Sequence, residues 1–119
     1  MERMDAYADA STLWGRDLRY VLTWHLVEAG AVLSVGQLVR AVAGDGFGLP
    51  APGNKVVSDA LRWEVARGRV VRVGRGRYRS GTMPKATKSR IGTRVRALRR
   101  DAFAETRNPP SLPPPTAGG

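Results

Sequence analysis

No regular element can cross the stretch from Gly44 to Gly53, where four glycines share ten residues with Pro50 and Pro52. The chain must therefore be built from short elements on either side of a central loop. With 119 residues in all, it has room for one compact domain and flanking segments, and none for a large substrate cavity.

Before the loop, Leu18, Val21, Leu22 and Leu26 recur at helical spacing, and Gly30 stands where a left-handed closing residue is wanted. This predicts a first helix over 11–29, with Trp14 and Trp24 either extending its apolar stripe or half exposed. The short apolar run Ala31 to Leu33 reads as a strand. Ser34 followed three residues later by Gln37 is a capping box, and Leu33 with Leu38 can form a hydrophobic staple across it. The second helix then runs to about Ala43 with Leu38, Val39 and Val42 inward.

After the loop, Asn54 is expected to cap a third helix from Lys55 to Arg67, closed by Gly68. Val57, Leu61 and Val65 at i, i+4 and i+8 are its expected inner face; Lys55, Ser58, Asp59 and Arg62 fall outside. Arg69 to Ser80 reads as a β-hairpin turning at Gly74-Arg75 or Arg75-Gly76. An even turn would put Tyr78 with Val71 and Val73 on an oily face, and Arg77 and Arg79 with Arg72 on the other.

Pro84 can open a fourth helix whose stripe is Ile91, Val95, Leu98 and Ala102, weakened by Gly92. Arginines surround that stripe, so three fates are open: docking on the domain, pairing with a second copy through Ile91, Val95 and Leu98, or ordering on a polyanion. The divisions read from the sequence are a flexible start at 1–10, a folded domain at 11–81, a basic extension at 82–107 and a Pro-rich, disordered tail at 108–119.

Charge separates the two halves. From Met1 to Asn54 four basic residues face six acids, whereas from Lys55 to Arg100 fifteen basic residues face only Asp59 and Glu64, a net of +13. A GC-rich coding sequence accounts for arginine over lysine but not for the loss of acids from the same stretch. The asymmetry is that of a face for a polyanion.

Helix, short strand, helix, loop, helix and two-stranded hairpin, in that order over Leu13 to Gly81, resemble the winged helix-turn-helix family. The resemblance lies in Val56-Val57-Ser58-Asp59-Ala60-Leu61-Arg62-Trp63 followed by Gly68-Arg69-Val70-Val71-Arg72-Val73-Gly74-Arg75-Gly76-Arg77-Tyr78-Arg79. It implies an α+β winged-helix fold that binds double-stranded DNA, with the third helix in the major groove and the wing on backbone or minor groove. Asn54 and Lys55 would then meet phosphate at the helix start, and Ser58 and Arg62 would reach base edges, unless Arg62 instead pairs with Asp59. Arg67, Arg72, Arg77 and Arg79 are the expected phosphate contacts, while Lys85, Lys88, Arg90 and Arg94 extend the surface into the fourth helix. Arg75-Gly76-Arg77 resembles the core of an AT-hook, which points the wing tip at an A·T-rich minor groove. A transcription regulator is the leading expectation. An architectural, nucleoid-associated protein and a protein-interaction subunit or antitoxin are the alternatives.

Enzymatic chemistry has little material. There is no cysteine, and His25 is the only histidine, which leaves little material for an intrachain Ser-His-Asp triad and none for a multi-histidine metal site. Gly74-Arg75-Gly76 begins like a dinucleotide fingerprint, but residue 79 is arginine and no helix signal follows. The expectation is a cofactor-free, cytoplasmic protein: no apolar run approaches the roughly 20 residues of a membrane span, and 1–10 lacks the apolar core of a signal peptide.

Overall fold

The computed structural model describes residues 11–107; the expectations for 1–10 and 108–119 lie outside the described residues. Within them the chain is α+β, with helices α1 (Gly15–Ala29), α2 (Val35–Gly44), α3 (Gly53–Ala66) and α4 (Lys85–Arg107). Strands β1 (Leu33–Ser34), β2 (Val70–Gly74) and β3 (Arg77–Ser80) form one antiparallel sheet in the order β1-β3-β2.

Helix α1 is the central element, packed against α2, α3, α4 and β3. Its inner face is Leu18, Val21, Leu22 and Leu26, and Gly30 ends it at φ 59°, donating its N–H to Leu26 O at 3.1 Å. Glycine enters that left-handed region without the strain a Cβ brings. Trp24 packs against the core, whereas Trp14 takes the half-exposed alternative, 57% exposed at the helix entrance.

The capping box at the start of α2 forms as a reciprocal pair, Gln37 N–H to Ser34 Oγ at 3.1 Å and Ser34 N–H to Gln37 Oε1 at 2.8 Å. Beyond α2 the loop is held by its backbone: Leu13 N–H donates to Gly48 O, and Gly48 N–H donates to Ser11 O, both at 3.0 Å. Phe47 is thereby drawn into the core.

Helix α3 begins earlier than the sequence suggests. Pro52 is its N-cap with no side-chain cap, and Asn54 lies inside the first turn rather than capping it. Its buried residues are Val57, Ala60, Leu61 and Glu64, at i, i+3, i+4 and i+7. Val65, expected inside, is rotated out and 36% exposed. The inward position is taken by a carboxylate because three partners meet it there. Arg69 donates to both oxygens of Glu64 at 2.8 and 3.1 Å, Thr23 Oγ1 donates to Oε1 at 3.1 Å, and Arg19 Nε lies 3.4 Å from Oε2.

The hairpin turns at Arg75-Gly76, with Gly76 at φ 66°, but its side-chain parity is the reverse of that expected. The pairs are Gly74 with Arg77, Arg72 with Tyr78, Val71 with Arg79 and Val70 with Ser80, and the register shifts between Arg72 and Gly74. Val73 is the extra residue of a β-bulge. One inserted residue moves every residue before it to the opposite face, so Val70 and Tyr78 are buried while Val73 is 46% exposed. The expected oily face of Val71, Val73 and Tyr78 does not exist.

Residues after Gly81 pack onto the preceding domain. Ile91, Val95 and Ala102 of α4 belong to the same buried cluster as Leu22, Leu38 and Leu61, with Leu98 packed at its edge. The stripe read as a homodimer face is covered by the chain's own core. Gly92, read as a weak point, is where Trp24 crosses: a Cβ there would stand 2.6 Å from the ring. Each fully buried Leu, Ile or Val contributes roughly 1.5–3 kcal/mol, so α4 carries a substantial part of the core.

Candidate functional site

The outer face of α3 and the hairpin enclose an open groove of about 530 Å3. Ser58, Arg62 and Val65 come from the helix; Arg72, Arg75, Gly76 and Tyr78 come from the hairpin. Helical spacing of four residues puts Ser58 and Arg62 on one side of α3, and the bulge turns Arg72 toward the same space as Tyr78. Arg62, Arg72 and Arg75 are exposed, and neither Arg72 nor Arg75 has a carboxylate partner among the described residues. The groove gathers Ser58, Arg62, Arg72 and Arg75 from the sequence-derived site.

The other expected residues are dispersed around it. Lys55 Nζ donates to Asp59 Oδ2 at 2.9 Å, and that hydrogen bond holds the Asp59 carboxyl below its ordinary range. Arg62 Nη1 lies 3.6 Å from Asp59 Oδ1, so the alternative pairing of Arg62 is present; with its side chain 78% exposed, the contact is solvated and readily exchanged. Arg67 lies over the ring of Trp63, 5.9 Å from its centroid, and Arg19 lies over the same ring at 5.4 Å. Trp63 itself is 56% exposed. Asn54 is exposed in the first turn of α3, and Arg79 is exposed on β3, its Nη1 donating to Ser80 O at 3.0 Å.

The structure separates Arg75 from Arg77. Arg75 lines the α3 groove, whereas Arg77 lines a second hollow with Ser34, Gln37 and Arg40. The two arginines of the AT-hook-like segment thus line hollows on either side of the turn.

On α4, Lys85, Lys88 and Arg90 are exposed near its start. Arg94 is not free: its Nε and Nη2 both donate to Asp17 at 3.1 Å, an interaction that raises the guanidinium's pKa. Arg99 is fastened in the same way to Glu28 at 2.8 and 3.0 Å and to Asp45 at 3.2 Å, beside His25, whose Nε2 shares a 2.7 Å hydrogen bond with Asp45. These two arginines clamp α4 to α1 and to the residue following α2.

Two features escaped sequence reasoning. Glu64 could have been found from its i+7 spacing to Val57, had a charge been admitted to the inner face. Arg40 could not: it sits in the near-neutral half, and only the pairing of β1 with β3 brings Arg77 to it.

No group of three or more His, Cys, Asp or Glu side chains among the described residues could hold a metal ion, and no helix among them is long and apolar enough to cross a membrane. Fold and groove together define a small α+β protein with an open cationic cleft between a helix and a hairpin. Comparison with known protein families, with curated proteins and with solved structures gives no match.

Proposed function

We propose that the chain is a winged-helix protein that binds double-stranded DNA, acting as a transcription regulator with α3 in the major groove and the β2–β3 hairpin as wing. The observation that carries this reading is the groove itself, where Ser58 and Arg62 of α3, the side chains assigned to base reading, stand beside Arg72 and Arg75 of the hairpin. Arginine suits both tasks, since its planar fork pairs with guanine N7 and O6 or with phosphate oxygens. An open groove with solvated cations suits a polyanion better than a small substrate, which demands enclosure.

An architectural role is the second reading, favoured by one observation: α4 continues the exposed cations beyond the groove through Lys85, Lys88, Arg90, Arg96 and Arg100. Backbone contacts of that kind need no base reading.

Duplex affinity measured across a salt series tests the common core of both. Neutralising about five to eight phosphates gives a log-log slope near −5 to −7. Absence of binding at low salt rejects both readings. Genome-wide occupancy then separates them, discrete peaks for a regulator and broad coverage for an architectural protein.

A further inference from the structure

The hairpin turn has a second concave flank. Val32, Ser34, Gln37, Arg40 and Arg77 line an open hollow of about 460 Å3 to which α3 contributes no residue. Its geometry is set by the sheet: Ser34 is the register partner of Arg77, and Val35 N–H donates to Gly76 O at 3.0 Å, which fixes the turn against the start of α2. Arg40 reaches back along its own helix. Its Nη1 lies 3.8 Å from the point where a Cβ on Gly36 would stand, and Ser34 Oγ lies 3.9 Å from the same point.

Two exposed guanidinium groups thus line one hollow, and no carboxylate among the described residues neutralises them. No carboxylate pairs with Arg40 or Arg77 among the described residues, and the first turn of α2 carries no acid. Arg94 and Arg99 on α4, by contrast, each have a carboxylate. Ser34 and Gln37 use only their side-chain oxygens as acceptors in the capping box, so the Ser34 hydroxyl and the Gln37 amide N–H groups remain donors beside the two cations. Like charges held together without a counter-charge repel, and an anion placed between them removes that repulsion.

We propose that Arg40 and Arg77 form a second phosphate-binding point, which takes a backbone phosphodiester of the strand passing on the side of the Arg75-Gly76 turn away from the α3 groove. This deepens the DNA-binding reading and rests on it. The turn then lies between two anchored strands, one held by Arg62, Arg72 and Arg75, the other by Arg40 and Arg77. Two guanidinium forks suit the tetrahedral oxygens of a phosphodiester, and such contacts carry no base preference.

The test compares wild type, Arg40→Ala, the double variant Arg40→Ala/Arg77→Ala and Arg62→Ala on an A·T-rich and a G·C-rich duplex, each across a salt series, with circular dichroism to verify the fold. Arg40→Ala is expected to make the log-log salt slope shallower by about 0.9 and the double variant by up to about 1.8, with equal loss on both duplexes. Should Arg77→Ala disturb the hairpin, Arg40→Ala alone carries the result. Unchanged slopes in folded variants, with wild type binding normally, overturn the second phosphate point and leave the DNA reading standing. If wild type binds neither duplex, the DNA reading falls. In that case an inorganic phosphate titration followed at the Ser34 and Gln37 amide resonances shows whether the hollow takes a free anion, an outcome that also overturns the backbone assignment.

Discussion

Glu64 grips Arg69 through both carboxylate oxygens, Nε to Oε1 at 2.8 Å and Nη2 to Oε2 at 3.1 Å, and so ties the end of α3 to the entrance of β2. Glu64 is fully buried, and its hydrogen bond to Arg69 raises that guanidinium's pKa. Removing the carboxylate strands Arg69 and Arg19 without counter-charge. Glu64→Ala is expected to cost about 3–5 kcal/mol. Arg62→Ala, exposed on the same helix, should stay within about 0.5 kcal/mol. Urea unfolding checks both; equal midpoints for Glu64→Ala and wild type would deny the carboxylate any structural role.

Gly92→Ala is expected to destabilise, against the usual helix preference. On an open helix the change stabilises by about 1 kcal/mol. Here the new Cβ would stand 2.6, 2.9 and 3.1 Å from three atoms of the half-buried Trp24 ring, so the indole must shift to admit it. The expected cost is about 1–3 kcal/mol. Thermal melting of Gly92→Ala and of Gly92→Ala/Trp24→Leu settles the cause, since the smaller side chain should return part of the loss if overlap is responsible.

Truncation after Gly81 is expected to abolish cooperative unfolding. The missing residues include Ile91 and Val95, both fully buried, and the arginines that clamp α4 to Asp17, Glu28 and Asp45. Ile91→Ala in the full chain should cost about 2–5 kcal/mol. A truncated chain with a sharp melting transition would mean that α4 is dispensable to the core.

Acid should loosen α4. A hydrogen bond from Arg99 holds Glu28 below its ordinary value of 4.5, so the unfolded chain binds its proton more readily than the folded one. The stabilisation is therefore complete above the ordinary glutamate range and disappears as pH falls through the lowered folded value. Glu28→Gln should flatten the acid limb of stability against pH. His25 and Asp45 face the same arginine and remain in both proteins, so the difference between the curves isolates Glu28. Parallel acid limbs would contradict the assignment.

On the proposed DNA-binding reading, Arg75→Ala at the hairpin tip should reduce any preference for A·T-rich over G·C-rich flanks, because narrow A·T-rich minor grooves concentrate negative potential. Competition binding with the two duplexes is the measurement. Equal weakening on both would confine Arg75 to phosphate.

Local chemistry was the part of the fold legible from the sequence. The Ser34–Gln37 box spans three residues and needs no tertiary partner, and Gly30 is dictated by the helix it ends. What stayed hidden depends on distant neighbours. Glu64 turns inward because Thr23 and Arg69 await it, and α4 docks because Trp24 lies where Gly92 leaves space. The site divides along the same line. Ser58 and Arg62 follow from the helical period of α3, whereas the union of Arg40 with Arg77 requires the β1–β3 register.

The bulge at Val73 gives the hairpin one residue more than its pairing requires. Arg72 opposite Tyr78 and Gly74 opposite Arg77 would be consecutive pairs of a regular ladder if Val73 were deleted, and Val70 and Tyr78 would keep their buried places. Nothing in the core needs the extra residue. What it supplies is bend and added twist, which aim the Arg75-Gly76 tip. In this small protein, chain length at a single position therefore acts as an aiming control, adjustable without touching a charge or a packed side chain.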